Sequence, residues 1–115
     1  MATQTIRLTM AQALVKYLSG LIEEESGLPL FGGCWTIFGH GNVSGLGEAL
    51  YQYRDVFPTL RAHNEQTMAH SAIAYAKASF RRRMMAVSTS IGPGALNMVT
   101  AAGVAAIEEV TYQGV

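Results

Sequence analysis

The chain has 115 residues, enough for one small domain whose buried fraction is below that of a larger one. Half of its residues are apolar, which marks a globular chain, and its 8 Lys and Arg balance 8 Asp and Glu. A formal charge of zero argues against a general nucleic-acid or anionic-membrane binder, and the single Cys34 excludes an intrachain disulfide.

The residues from Met1 lack a basic start running into an apolar stretch, and no segment is long and apolar enough to span a bilayer, so the expected compartment is the cytoplasm. Thr9-Met10-Ala11-Gln12 has the capping-box pattern of a helix start. Leu14, Leu18, Leu21 and Ile22 then recur at helical spacing, and Gly27 with Pro29 breaks the pattern. Cys34 to Phe38 is short, apolar and aromatic, as a buried strand is. Gly39-His40-Gly41-Asn42 suits neither a strand nor a helix. Leu46, Ala49, Leu50 and Tyr53 form a second helical face, Phe57-Pro58 interrupts it, and Thr59 to Ala62 is a further strand candidate.

Glu65 to about Ser79 is rich in alanine, with Met68, Ala72, Tyr75 and Ala76 on one side, and predicts a helix that packs closely on a sheet. Met84 to Ser88 predicts a third strand, Gly92-Pro93-Gly94 a break, and Ala95 to Ala106 a last helix. Strands alternating with helices predict an α/β domain: a partial parallel sheet flanked by helices.

In such a sheet ligands bind beyond the carboxyl ends of the strands, and the unusual residues lie there: Gly39 to Gly47, His63 to Gln66, and Ser88 to Asn97. The glycines of the first loop invite comparison with G-x-G-x-x-G, but Ser44 stands where the third glycine belongs, and no Walker lysine follows. Taken alone, that loop reads as a tight turn into a helix, and Ser90 to Asn97 as a strand-to-helix connector. Glu65 reads either as an acid favoured by the helix dipole or as a carboxyl that, if buried, is raised in pKa and shares a proton with a ligand nitrogen. Lys77 and Arg81-Arg82-Arg83 read as cations at a helix C-terminus. The three histidines and Cys34 show no metal-ligand spacing, and no G-x-S-x-G elbow occurs.

Asn64-Glu65-Gln66, Met68 to Ala76, and Ser90-Ile91-Gly92-Pro93-Gly94-Ala95-Leu96-Asn97, in that order, resemble the pyrimidine-binding domain of thiamine-diphosphate enzymes of the acetohydroxyacid synthase type. Thr5 to Val15, Ile37 to Val43 and Arg82 to Val87 resemble more narrowly the 3D-(3,5/4)-trihydroxycyclohexane-1,2-dione hydrolases. That likeness covers about Thr5 to Ala105, with a divergent tail over 106–115. The resemblance implies one partial domain over 1–115, truncated before its later strands, with an open sheet edge beside Met84 to Ser88.

The family opens a cyclic 1,2-diketone with water to 5-deoxyglucuronate in myo-inositol breakdown. By resemblance, Glu65 is the catalytic carboxyl at the cofactor's aminopyrimidine ring, and Gly92, Pro93, Gly94 and Asn97 line the cofactor with it. His40, Asn42 and Gln66 are implied for the substrate cleft. The cofactors implied are thiamine diphosphate and Mg²⁺, the latter held by a diphosphate-binding domain with a Gly-Asp-Gly motif that does not occur here. That domain, at a homo-oligomer interface in the family, is the implied partner. The expectation is therefore the N-terminal portion of an enzyme that is inactive by itself. The alternative is a module of the same fold that has lost catalysis and kept binding or regulation.

Overall fold

The structure, a computed structural model, describes residues 3–108. Of the tail at 106–115, residues 106–108 close the last helix, and the remainder, like Met1 and Ala2, lie outside the described residues.

Helix α1 spans Met10–Ser19 and opens on the expected capping box: the Gln12 amide N–H donates to Thr9 Oγ1 at 3.2 Å, and the Thr9 N–H donates to Gln12 Oε1 at 2.9 Å. It stops at Gly20, seven residues before Gly27. Leu14 and Ile22 are consequently exposed, Leu21 lies outside the helix, and Val15 is the side chain that enters the core. The loop that follows doubles back, with the Leu30 N–H donating to the Leu21 carbonyl at 2.8 Å.

Strand β1 spans Phe31–Thr36, not Cys34–Phe38. The strand takes in Gly32 and Gly33, which lie close to neighbours distant in sequence. A Cβ on Gly32 would lie 2.4 Å from the Tyr75 hydroxyl, and one on Gly33, whose φ is +148°, 2.3 Å from the Pro58 carbonyl oxygen. A register shift between Phe31 and Cys34 accommodates them as an irregularity in the β1–β3 pairing.

A 3₁₀ turn at His40–Asn42 and a π turn at Val43–Gly47 lead into α2, Glu48–Gln52. Then come β2 at Thr59–Arg61, α3 at Glu65–Ala78 and β3 at Met84–Ser88. The last predicted helix is two: α4 at Pro93–Leu96 and α5 at Val99–Ile107. Asn97 and Met98 separate them, and this break has a consequence at the site.

The three strands are parallel in the order β2-β1-β3, with Cys34 opposite Thr59 on one side and Ala86 on the other. Among the described residues β3 has a strand on one side only. One face of the sheet packs on α1 and α2 through Val15, Cys34, Ala49, Leu50 and Phe57, with Ala86 against them. Met85 and Val87, one residue either side of Ala86, face α3 and α5, as the period of two requires. There they border an apolar groove of about 190 Å³ with Ala69, Ala72, Ala76 and Ala101. The alanines of α3 thus bring the helix close to the sheet, and Met68, Ala69, Ala72 and Ala76 are all buried.

The basic cluster is more than a set of helix-end cations. Lys77 Nζ pairs with Glu108 Oε2 at 2.6 Å, Arg82 with Glu25 at 2.6 Å, and Arg83 Nε donates to the Pro29 carbonyl at 2.8 Å. These side chains tie the end of α3 to α5 and to the 21–30 loop. No helix among the described residues is long and apolar enough to cross a membrane.

Candidate functional site

The strand order places β1 between neighbours reached by crossovers in opposite directions, the arrangement at which the loops after two adjacent strands, here β1 and β3, lead away from their shared edge. They are also joined across it. Asn42 Nδ2 donates to the Thr89 carbonyl at 2.6 Å, and a Cβ on Gly39 would lie 2.5 Å from Ser90 Cβ. The glycine of the first loop is therefore a close-approach residue.

Glu65 enters from the second loop, the one after β2. Asn64 caps α3, its Oδ1 accepting from the N–H groups of Gln66 and Thr67 at 2.9 and 3.1 Å. That cap makes Glu65 the first helical residue and sets it at the carboxyl edge of the sheet. Across from it, Gly92 turns the chain with φ +63°, which glycine adopts without strain, and Pro93 begins α4. The break after Leu96 leaves Asn97 facing Glu65: its Nδ2 donates to Glu65 Oε2 at 2.9 Å. A Cβ on Gly94 would lie 2.4 Å from Ser90 Oγ and 3.1 Å from Glu65 Oε1.

Glu65, Gly94 and Asn97 are thus brought together, with Gly92 and Pro93 forming the turn that carries two of them. Asn42 reaches this edge by tying down Thr89. Gln66 is half-buried beside Glu65 in the first turn of α3, while His40 is exposed, with φ 50°, at the start of the 3₁₀ turn. Ser90 is the residue that sequence reasoning passed over. It lies between Gly39 and Gly94, where a Cβ on either would meet its side chain, and nothing local in the sequence signals that approach.

Of the two readings of Glu65, the second required burial, and that condition is not met. Its side chain is only half-buried, and the Asn97 amide, followed by its own backbone N–H, holds the carboxyl below the usual carboxylate range, burial opposing them. Glu23 is lowered by the Ser26 hydroxyl and N–H, and Glu108 by Lys77. In the unfolded chain these groups return to about 4.5. Depressed folded values mean that the unfolded state binds more protons as the pH falls below that point. Their stabilisation is complete above it and is lost on acidification through the folded values. The melting temperature should therefore fall progressively from about pH 5 to pH 3, less steeply in Glu23→Gln; a flat profile would show these contacts to be absent in solution.

Burial pushes the Cys34 thiol up to about 11, so it is protonated at neutral pH and is no nucleophile. Among the described residues no three of His, Cys, Asp and Glu come together to hold a metal ion. A carboxylate with one oxygen held by Asn97, beside a turn whose Gly94 lies too close to Ser90 and Glu65 for a side chain, fits the nitrogen edge of a flat heterocycle. It does not fit a diphosphate, which needs cations or a cluster of N–H donors.

The family described as thiamine pyrophosphate enzyme, N-terminal TPP binding domain, matches residues 33–111. The chain is 51% identical over 107 residues to the 3D-(3,5/4)-trihydroxycyclohexane-1,2-dione hydrolase of Listeria innocua, covering 91% of this chain and 17% of that protein. It is 52% identical over 102 residues to the hydrolase of the same name from Bacillus subtilis, covering 87% and 16%. The chain thus spans about one sixth of the length of these relatives. No solved structure matches it.

Proposed function

Because the chain belongs to the thiamine pyrophosphate enzyme family, through its N-terminal TPP-binding domain, we propose that it forms the pyrimidine half of a thiamine-diphosphate site in a hydrolase of C–C bonds. The substrate proposed is the cyclic diketone 3D-(3,5/4)-trihydroxycyclohexane-1,2-dione, named for the relatives. The observation that carries the reading is the Glu65 carboxylate set between the Gly92-Pro93-Gly94 turn and Asn97 at the carboxyl edge of the sheet.

When bound, thiamine diphosphate supplies the electron sink for cleaving a C–C bond beside a carbonyl. The residues of this chain act on its pyrimidine side. Glu65 would take up a proton from solvent as the ring binds and share it with the aminopyrimidine ring nitrogen, and Gly92, Pro93 and Gly94 would offer backbone to the flat ring. Gln66 and Asn42 border the approach, and His40 stands at the outer rim. The diphosphate and Mg²⁺ fall outside residues 3–108, on a diphosphate-binding domain that completes the enzyme.

Titration of this chain with thiamine diphosphate, followed by amide NMR, should shift Glu65, Gly94 and Asn97 weakly and equally with or without Mg²⁺. Micromolar affinity with a strict Mg²⁺ requirement would overturn the half-site, and shifts confined to other surfaces would overturn the ring-binding role.

A further inference from the structure

We propose that Asn97 is a positioning residue for Glu65, holding one carboxylate oxygen so that the other alone meets the ring nitrogen. The inference deepens the reading above and rests on it.

A glutamate at the first turn of a helix has two equivalent oxygens and a side chain free to rotate, so by itself it presents no fixed acceptor. Asn97 removes that freedom. Its Nδ2 lies 2.9 Å from Oε2, and its own backbone N–H donates to the Pro93 carbonyl at 2.9 Å, so the amide is held by the turn it ends. Ser90 packs close to Gly39 on one side and Gly94 on the other, while Asn42 fixes the preceding residue through the Thr89 carbonyl. The donor is therefore mounted on a braced loop.

Oε1 is the oxygen that Asn97 does not hold. It faces Gly94, where a Cβ would come within 3.1 Å of it, so the glycine keeps that oxygen uncovered. An amide suits this task chemically. It donates a hydrogen bond but has no acidic proton to exchange, so it orients the carboxylate without competing for the shared proton. Asn97 keeps helical φ and ψ of −64° and −12° at the end of α4, so that short helix carries its side chain.

The test needs no ligand, so its outcome is independent of whether thiamine diphosphate binds. In the 115-residue chain, ¹³C NMR follows the Glu65 carboxyl through its titration, assigned by its loss in Glu65→Gln. The Asn97 side-chain N–H protons should move with the same midpoint as the Glu65 carboxyl. Asn97→Ala should shift that midpoint upward, and Asn97→Asp further upward, because a second carboxylate replaces the donor. No charged side chain contributes to the Glu65 shift, so such a movement reports Asn97 itself. The proposal is overturned if the Asn97 amide protons do not follow the titration in the unsubstituted chain. An Asn97→Ala variant with an intact amide fingerprint and an unmoved midpoint overturns it equally.

Discussion

Glu65→Gln lowers turnover by at least about a hundredfold in an enzyme completed by the domains this chain does not span. The measurement uses a chimaera in which this chain replaces the matching N-terminal segment of the Bacillus subtilis relative, to which it is 52% identical. Glutamine keeps the length and shape of the side chain and can still accept from Asn97 Nδ2 through its carbonyl oxygen. It cannot take or return a proton, and proton sharing with the ring nitrogen is the role proposed for Oε1. The fold should survive, because Asn64 caps α3 with its own side chain and does not depend on the carboxylate. An unchanged far-UV spectrum with collapsed turnover is the expected pair of results. Turnover within a few-fold of the parent chimaera would return Glu65 to the role of an acid favoured by the helix dipole.

Gly33→Ala is expected to be the most damaging small substitution in the chain. The added methyl would lie 2.3 Å from the Pro58 carbonyl oxygen, and the residue would have to hold φ at +148°. That carbonyl cannot retreat, because it accepts from the Cys34 N–H at 2.8 Å, next to the Cys34–Thr59 pairing of β1 and β2. Relief requires β2 to move away from β1 and that bond to break. Backbone strain and overpacking together cost roughly 3 to 5 kcal/mol, a large share of what a small domain has. The urea midpoint should fall sharply, or the variant should be recovered unfolded. Gly103→Ala is the control, since a Cβ there meets nothing within 4 Å and lies inside α5. It should be neutral or stabilising by up to about 1 kcal/mol, as alanine is in a helix. Gly33→Ala unfolding within about 0.5 kcal/mol of the parent would mean that β1 and β2 do not approach this closely.

What could be read from the chain was set by near neighbours. The Thr9–Gln12 capping box, the alanine face of α3 and the alternation of strand with helix depend on residues within a turn or two of one another. Each appears in the fold as expected. The loops beyond the strand ends were legible for the same reason, because a parallel sheet puts all of them at one edge. Glu65, at the start of α3, was placed there by sequence order alone.

Other features depend on atoms far along the chain. Gly32 and Gly33 belong to β1 because Tyr75 and Pro58 leave no room for side chains, although glycine by itself argues against a strand. Ser90 matters because Gly39 and Gly94 close on it from different loops. The titration of Glu65 runs opposite to the expectation for a buried carboxyl because a donor 32 residues away reaches it before burial can dominate. Sequence by itself determined the elements, their order and the edge at which chemistry is placed, since short-range torsional and hydrogen-bonding preferences decide those. Tertiary structure alone decided which oxygen of Glu65 is engaged and which glycines are irreplaceable. Both depend on distances between loops, and such distances exist only once the sheet has brought its strand ends together.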